Sequence, residues 1–326
     1  MNSIAREARC AKLGALLLVL AACSSGESTT DTAAVKAADS AAPSAPAMFA
    51  SAGATDSMKT PESVRYDADV DAFFISNING NPSQKDGNGF IARVDATNTS
   101  APATMLVEGG KNGVTLHAPK GMAIVGDTLW VADIDAVRAF NKRTGAPIAT
   151  VDLRRQGAVF LNDVAAGPDG AVYITDTGLK FDASGGMTHP GPNQIFRLSG
   201  RTASLAIKSD SALKGPNGIT WDAANSRFIV VPFDDKAVVA WKAGDSTVTP
   251  VATGPGGYDG VEILSDGRIL VTSWADSGVH AIANGAVTKV IANVEGPADI
   301  GIDTKRNVVA VPRFMAGRVE YFTIGK

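Results

Sequence analysis

Oxygen-bearing side chains recur at one position of a short repeated segment. The segment occurs six times, beginning at Pro61, Pro119, Leu161, Pro216, Tyr258 and Pro297. Its second residue varies and is, in chain order, Glu62, Lys120, Asn162, Asn217, Asp259 and Ala298. Two carboxylates and two carboxamides in this set are ligand types that a hard divalent cation such as Ca²⁺ prefers. If the fold gathers these positions, the predicted metal ligands are Glu62, Asn162, Asn217 and Asp259.

The spacing of the segments predicts the fold that would gather them. Successive segments begin 58, 42, 55, 42 and 39 residues apart, and each is followed by further β-rich runs such as Phe73 to Ile75. A period near 40 residues with three or four strands per unit is typical of a β-propeller blade. We therefore predict an all-β, six-bladed β-propeller in which the second residues surround the mouth of the central channel. A β-sandwich is the alternative, and six matched repeats argue against it.

The last repeat lacks an outer strand, because the sequence stops at Lys326. The segment Met48 to Ala50 is a candidate for this missing strand. We therefore predict that an N-terminal strand closes the last blade of the propeller.

The first residues resemble a bacterial lipoprotein signal. Arg6, Arg9 and Lys12 precede a short apolar run, and that run ends in Leu20-Ala21-Ala22-Cys23. The run is too short for a stable membrane-spanning helix, so a cleaved signal is the better interpretation. An ordinary signal peptide that happens to contain a cysteine is the alternative. We predict lipidation at Cys23 and an outer-membrane location facing the periplasm.

These assignments divide the chain into three parts. Residues 1–22 are the predicted signal peptide, and residues 23–46 are rich in Ser, Ala, Thr, Asp and Pro, which predicts a flexible tether. Residues 47–326 are the predicted propeller.

Charge and cysteine content exclude several functions. Removal of residues 1–22 takes away three positive charges and one negative charge, so the formal net charge changes from −3 to −5. A mildly acidic protein without a basic run is not expected to bind nucleic acid. The only cysteines are Cys10 and Cys23, which excludes thiol catalysis and zinc–thiolate sites from the folded part. We expect a monomer that binds a small molecule.

Four segments together resemble a known family. Pro61 to Val64, Leu161 to Val164, Gly215 to Gly218 and Tyr258 to Val261 are similar to segments of the SMP-30/gluconolactonase/LRE-like propellers, which are relatives of paraoxonase-type hydrolases. The resemblance extends from about residue 58 to residue 324. It implies that Glu62, Asn217 and Asp259 bind the metal directly, and that Asn162 is a ligand or contacts the substrate. It also implies calcium-dependent hydrolysis of a lactone or ester, assisted by Asp259 or a bound water.

The second repeat departs from that resemblance. Paraoxonase-like enzymes present a histidine there, whereas this chain has Lys120. The candidate catalytic residues are therefore Asp259, Asn162 and Lys120, although a lysine among carboxylates can also be an ion-pair partner. Two functions remain open: a metal-dependent hydrolase, and a non-catalytic binding propeller with a structural metal.

Other polar residues near the repeated segments have predicted supporting roles. Asp163 and Asp299 occupy the next position of their segments and are expected to support the ligands or cap turns. The loops 77–89 and 176–194 are much longer than their counterparts, which is typical of lids or binding loops but also of solvated insertions. The polar residues expected to line the pocket from these loops are Asn79, Asn81, Lys85, Asp86, Lys180, Asp182 and His189.

Overall fold

The computed structural model describes residues 49–325. The predicted signal peptide, Cys23 and the predicted tether lie outside the described residues and stay predictions. Within residues 49–325, no helix is long and apolar enough to cross a membrane.

Six four-stranded antiparallel sheets form the blades of a β-propeller, as predicted. The described chain begins with strand β1 (Ala50–Thr55). Blade 1 follows, with β2 (Pro61–Asp67), β3 (Ala72–Asn77), β4 (Phe90–Asp95) and β5 (Thr104–Glu108). Blade 2 contains β6 (Pro119–Val125), β7 (Thr128–Asp133), β8 (Ala136–Asn141) and β9 (Pro147–Asp152).

Blade 3 carries an additional small hairpin. Its four strands are β10 (Leu161–Ala166), β11 (Val172–Asp176), β14 (Gln194–Ser199) and β15 (Thr202–Lys208). Between the second and third of them, β12 (Lys180–Phe181) pairs with β13 (Met187–Thr188). Helical structure in the described residues is limited to a 3-10 turn at Arg154–Gln156 and helix α1 (Asp210–Leu213).

The remaining blades repeat the same order of strands. Blade 4 contains β16 (Pro216–Asp222), β17 (Arg227–Pro232), β18 (Ala237–Trp241) and β19 (Thr249–Thr253). Blade 5 contains β20 (Tyr258–Ile263), β21 (Ile269–Ser273), β22 (Gly278–Ala283) and β23 (Ala286–Ala292). Blade 6 contributes β24 (Gly301–Asp303), β25 (Val308–Arg313) and β26 (Arg318–Thr323).

The blades are held together by apolar side chains on both faces of each sheet. In β3, Phe73 and Ile75 pack in one core cluster with Tyr321 of blade 6, whereas Phe74 packs in another with Met122 of blade 2. Successive residues of a strand point to opposite faces. A run of consecutive apolar residues therefore joins a blade to both of its neighbours, which explains why the second strands are almost wholly apolar.

The N-terminal strand closes the ring, as predicted. Strand β1 pairs with β26 and becomes the outer strand of blade 6. The strand is Ala50–Thr55, later than the segment expected from the sequence, because Phe49 packs into the core before the pairing begins. At its end, the Thr55 hydroxyl lies 2.6 Å from the Thr99 carbonyl oxygen and 2.9 Å from the Tyr321 hydroxyl.

A β-bulge occurs near the start of the innermost strand in each of blades 1 to 5. The pairing with the second strand shifts register between Pro61 and Ser63 in blade 1, and the other four blades shift around the equivalent position. A bulge leaves a residue out of the ladder and turns its side chain to a new direction. The first residue within each bulge is, in chain order, Glu62, Lys120, Asn162, Asn217 and Asp259.

Candidate active site at the channel mouth

The five bulge residues line one cavity at the mouth of the channel. The cavity has a volume of about 450 Å³. None of the five is more than 6% exposed. The structure therefore brings together all four predicted metal ligands and Lys120. The sixth equivalent residue, Ala298, is buried and brings no polar group.

The two carboxylates of the cavity are incompletely hydrogen-bonded. Glu62 Oε2 and Asp259 Oδ1 are buried and have no hydrogen-bond partner. The other oxygen of Asp259, Oδ2, accepts a hydrogen bond of 2.9 Å from Trp274 Nε1. Buried polar groups are nearly always paired, so the unpaired oxygens indicate that a partner is absent from the protein itself.

Burial controls the protonation of both carboxylates. It raises the pKa of Glu62 well above the ordinary value; the charge of Asp259 raises it further, and Lys120 opposes the shift. Burial also raises the pKa of Asp259 to about 8, against the lowering effect of the Trp274 hydrogen bond. Both shifts arise because a buried charge is costly unless a cation compensates it.

The carboxamide of Asn162 has a defined orientation. The Thr177 hydroxyl donates to the Pro216 carbonyl at 2.8 Å, so its oxygen is free to accept a hydrogen bond of 2.9 Å from Asn162 Nδ2. The Asn162 Oδ1 atom thereby remains available to a ligand. The side chain of Asn217 makes no hydrogen bond to the described residues. The backbone carbonyl of Asn217 accepts a hydrogen bond from the Thr175 hydroxyl.

These donors fit a hard divalent cation. Two of the four groups are carboxylates with an unpaired buried oxygen, and one carboxamide is oriented by Thr177. Residues 49–325 contain no cluster of three or more His, Cys, Asp or Glu side chains suited to hold a metal. A cation bound here would therefore need the amide oxygens as well. The residues that would hold it are Glu62, Asn162, Asn217 and Asp259, which we call the mouth ring.

The ammonium group of Lys120 contacts two carbonyl groups and one aromatic ring. Its Nζ atom donates to the Ala118 carbonyl at 3.1 Å and to the Pro82 carbonyl at 3.0 Å, and it lies 4.2 Å from the centroid of the Phe160 ring. Burial lowers the pKa of Lys120 to about 8, and Glu62 opposes the shift. Because Pro82 belongs to the long loop of blade 1, Lys120 ties that loop to the cavity.

Asp163 and Asp299 contact an arginine in the channel. Arg65 Nη2 lies 3.2 Å from Asp163 Oδ1 and 3.0 Å from Asp299 Oδ2. Arg65 Nη1 donates to Glu262 Oε1 at 2.5 Å and to the Ile300 carbonyl at 2.8 Å. We call Arg65, Asp163, Glu262 and Asp299 the Arg65 cluster. Its guanidinium joins blades 1, 3, 5 and 6.

A second set of equivalent residues surrounds the mouth ring. In five blades, the residue that follows the second strand donates its N–H to the carbonyl of the residue just before the repeated segment, for example Trp274 to Gly257 and Phe314 to Gly296. These residues are Ile78, Thr177, Phe233, Trp274 and Phe314. All but Thr177 line the cavity. Trp274 and Thr177 position mouth-ring side chains but were missed from the sequence, although their recurrence after each second strand was a usable signal.

The aromatic members of this set contact one another. Ring centroids lie 6.2 Å apart for Phe233 and Trp274, and 5.4 Å apart for Trp274 and Phe314, both in edge-to-face geometry. Such pairs are favourable beyond their buried area. They form a continuous aromatic wall across blades 4, 5 and 6.

The two long loops meet and cover part of the mouth. Asn81 Nδ2 donates to the Asp182 carbonyl at 2.7 Å, and the Phe181 N–H donates to Ser83 Oγ at 3.0 Å. Phe181 also packs on Phe160, with ring centroids 5.7 Å apart. The loops thus form a lid that joins blades 1 and 3.

The prediction that these loops line the pocket with polar residues is wrong. None of the seven polar candidates lines the cavity, and the loops present Pro82, Leu179, Phe181 and Met187 instead. The polar side chains are engaged elsewhere: Lys85 pairs with Asp135, and His189 Nε2 lies 3.5 Å from Asp234 Oδ2. Hydrogen bonds between the loops and ion pairs outside the cavity leave the apolar residues to face inward.

The fold and this site define a six-bladed propeller with a polar cavity floor at the channel mouth. Residues 60–302 match the family described as the SMP-30/Gluconolactonase/LRE-like region. The chain belongs to this family. No curated protein sequence matches the chain significantly.

Two solved structures share the fold. A luciferin-regenerating enzyme has a TM-score of 0.64 and 12% sequence identity, over 83% of this chain and 95% of its own. A proposed gluconolactonase, solved as a structural genomics target, has a TM-score of 0.62 and 15% identity, over 85% of this chain and 94% of its own. At these identities the similarity concerns the fold alone.

Proposed function

We propose that this chain is a calcium-dependent hydrolase of a lactone or related ester. The proposal is carried by the pair of buried carboxylate oxygens without a partner, Glu62 Oε2 and Asp259 Oδ1, at the floor of a cavity large enough for a small molecule. Membership of a family that includes gluconolactonases supports it.

The chain's residues would act in defined ways. The four members of the mouth ring would hold the cation, which when bound polarises a carbonyl oxygen. Trp274 fixes one oxygen of Asp259, so the other is directed to the cavity. Water adds to the carbonyl carbon, the ester C–O bond breaks, and Asp259 takes the proton from water and returns it to the leaving oxygen. A lactone would give a hydroxy acid.

We assign Lys120 a positioning role within this proposal. Its N–H groups are directed to Pro82, Ala118 and the Phe160 ring, so it holds the lid rather than the reacting atoms. Lys120→Met would remove the hydrogen bond to Pro82 and loosen the loop of blade 1. We expect this variant to raise KM more than it lowers kcat.

The anchor stays a sequence-based proposal. We propose that Cys23 is lipidated and holds the propeller at the cell envelope, facing the periplasm. Fractionation would compare the wild type with Cys23→Ser, and we expect the wild type in the membrane fraction and the variant in the soluble fraction. A wild type in the soluble fraction would contradict the proposal.

The test of the hydrolase proposal compares two aspartates of blade 5. Calcium binding by calorimetry and hydrolysis of a lactone and aryl-ester panel would be measured for the wild type, Asp259→Ala and Asp266→Ala. Asp266 pairs with Arg268 at the surface and is the matched control. We expect binding and turnover to be lost only in Asp259→Ala. Turnover that survives EDTA, or that survives in Asp259→Ala, would contradict the proposal.

A non-catalytic binding propeller is the second candidate. It is favoured by two observations: no histidine is among the described residues that line the cavity, and the Lys120 ammonium donates to two carbonyl groups. Tight calcium binding without turnover of any ester in the panel would support this alternative.

A further inference from the structure

The walls of the cavity differ in chemistry from its floor. Polar side chains occur only at the floor, in the mouth ring and Lys120. Above them, two independent parts of the fold supply apolar side chains. The aromatic wall comes from residues that follow the second strands, and the lid adds Phe181 and Met187. Met187 is 47% exposed and Met315 is 71% exposed, so apolar surface continues to the outer edge of the cavity.

Few polar groups of the cavity are free to bind a substrate. The N–H groups of Lys120 are directed to two carbonyls and an aromatic ring. The indole N–H of Trp274 is donated to Asp259. The free groups are thus oxygens of Glu62 and Asp259 and the two carboxamides, all of them at the floor.

The polar groups of the lid are also engaged. Asn81 donates to a carbonyl of the opposite loop, and Ser83 accepts from the backbone of that loop. Asp182 Oδ1 accepts hydrogen bonds from Ser184 and Gly186 within its own turn. A molecule in the cavity therefore contacts apolar surface on the side of the lid.

This arrangement separates two kinds of lactone. A polyhydroxylated lactone would bring several hydroxyl groups against walls that offer them no partner, and each buried hydroxyl without a partner is unfavourable. An alkyl or aryl group would instead be favoured there, by roughly fourfold in binding for each buried methylene.

We propose that the cavity selects lactones or esters whose carbonyl end reaches the floor and whose remainder is an alkyl or aryl group, and that it discriminates against sugar lactones. The proposal rests on the proposed function for the identity of the reacting group. The apolar selectivity itself rests on the walls and lid.

The first experiment measures kcat/KM for γ-lactones with alkyl chains of increasing length and for gluconolactone, in the presence of calcium. We expect a gain of roughly three- to fourfold per methylene until the cavity is full. Gluconolactone should be poorer than the longest lactone by about 100-fold or more. A rate that does not depend on chain length, or a preference for gluconolactone, would overturn the proposal.

Variants at the edge of the cavity test whether its apolar side chains cause the preference for alkyl chains. Met187→Gln and Met315→Gln change apolar side chains to polar ones of similar size at exposed positions, where folding should be unaffected. Leu205→Gln is the control, because Leu205 is 53% exposed on the outer strand of blade 3 and does not line the cavity. We expect the gain per methylene to fall in the two methionine variants and to stay unchanged in the control. An unchanged gain in all three would overturn the proposal.

A binding experiment keeps the two proposals separable. Alkyl-substituted cyclic ketones have the ring and the carbonyl but no ester bond, so calorimetry with them does not depend on catalysis. Chain-length-dependent ketone binding without hydrolysis of any lactone would refute the hydrolase and support the apolar selectivity. Failure of the ketones to bind, or tighter binding of a cyclic polyol, would overturn the apolar selectivity even if lactones are hydrolysed.

Discussion

Two buried polar clusters, the mouth ring and the Arg65 cluster, lie along the innermost strands. They differ in whether the carboxylates of the cluster pair with a cationic side chain. In the Arg65 cluster, each carboxylate contacts the guanidinium of Arg65 within 3.2 Å. In the mouth ring, neither carboxylate forms an ion pair within the described residues, and Lys120 is directed to carbonyls. The innermost strands thus build one cluster that contains its own cation and another that does not. This difference supports the proposal that the mouth ring binds a cation from outside.

The pKa values of the Arg65 cluster are consistent with this distinction. Burial raises the pKa of Asp299 well above the ordinary value, although Arg65 opposes the shift. Asp299 Oδ1 has no partner, whereas Oδ2 accepts from Ser63 at 2.6 Å. A raised pKa favours the protonated carboxyl, which carries no negative charge for a further ion to compensate.

The largest expected effect comes from removing the internal cation. Arg65→Met leaves buried carboxylates without their partner and should reduce the free energy of unfolding by about 3–5 kcal/mol. Urea denaturation measures this change. Arg197→Met is the control, because Arg197 pairs with Asp169 at the surface and should hardly move the midpoint. If both variants changed the free energy of unfolding equally and only slightly, the distinction between the Arg65 cluster and the mouth ring would be contradicted.

The second prediction exchanges one carboxylate in each cluster. Asp259→Asn should lower calcium affinity by more than about 100-fold, since loss of an outer partner alone costs about 10- to 100-fold. The same variant should stabilise the cation-free protein at neutral pH, because an amide, unlike the carboxylate, does not have to take up a proton on burial. Asp163→Asn, which removes a partner of Arg65, should destabilise the protein and retain calcium binding. Calorimetry measures the calcium affinity of both variants, and urea denaturation measures their stability. Destabilisation of the cation-free protein by Asp259→Asn would contradict the distinction between the mouth ring and the Arg65 cluster.

The third prediction concerns pH. The pKa of Asp259 is raised to about 8 in the folded protein from an ordinary value of 3.8, so folding favours its protonated form. The cation-free protein should therefore lose stability as the pH rises from about 5 to 8, with Tm falling by roughly 2–4 °C per kcal/mol. Saturating calcium should abolish the fall, because cation binding requires the ionised carboxylate.

The control for the pH experiment is the double variant Glu62→Gln/Asp259→Asn. Its Tm should vary less between pH 5 and 8 than that of the cation-free wild type, and calcium should not change it. A wild-type Tm that rises over this range without calcium would contradict the assignment.

The smallest expected effect concerns the orientation of one carboxamide. Thr177→Val removes the hydrogen bond that fixes Asn162 and should weaken calcium binding by about tenfold. Thr188→Val is the matched control, because Thr188 lies on the exposed β13 and its hydroxyl donates to the Lys180 carbonyl, away from the mouth ring. Equal affinities for the two variants would show that the orientation of Asn162 has no role in binding.

The sequence predicts the blades well because the repeats are local. Each opening segment, its second strand and the turn between them occur within about 20 residues, so the apolar and polar pattern of one blade can be aligned with the next. Closure by the N-terminal strand followed from counting strands. Its bounds were less predictable, since Ala50–Thr55 has small residues with little strand preference and depends on pairing with β26.

Site residues were predictable only where the repeat places them. The mouth ring follows from the second residue of each segment. Arg65 was missed, although the fifth residue of the segments offered a signal: Arg65 in blade 1 and Glu262 in blade 5 are the only charged residues at that position. The side chains that the lid presents to the cavity were predicted wrongly, because contacts such as Asn81 to Asp182 join distant loops and no repeat relates them.

The pairing of β1 with β26 has a consequence for how the protein is synthesised. Strand β1 leaves the ribosome long before β26, so the ring cannot close until β26 has been translated. During that interval β1 has no partner and could associate with other unfinished chains. Its sequence, Ala-Ser-Ala-Gly-Ala-Thr, lacks the large β-branched and aromatic residues that promote such association. The low association tendency of β1 therefore protects the unfinished chain from aggregation until β26 is available for pairing.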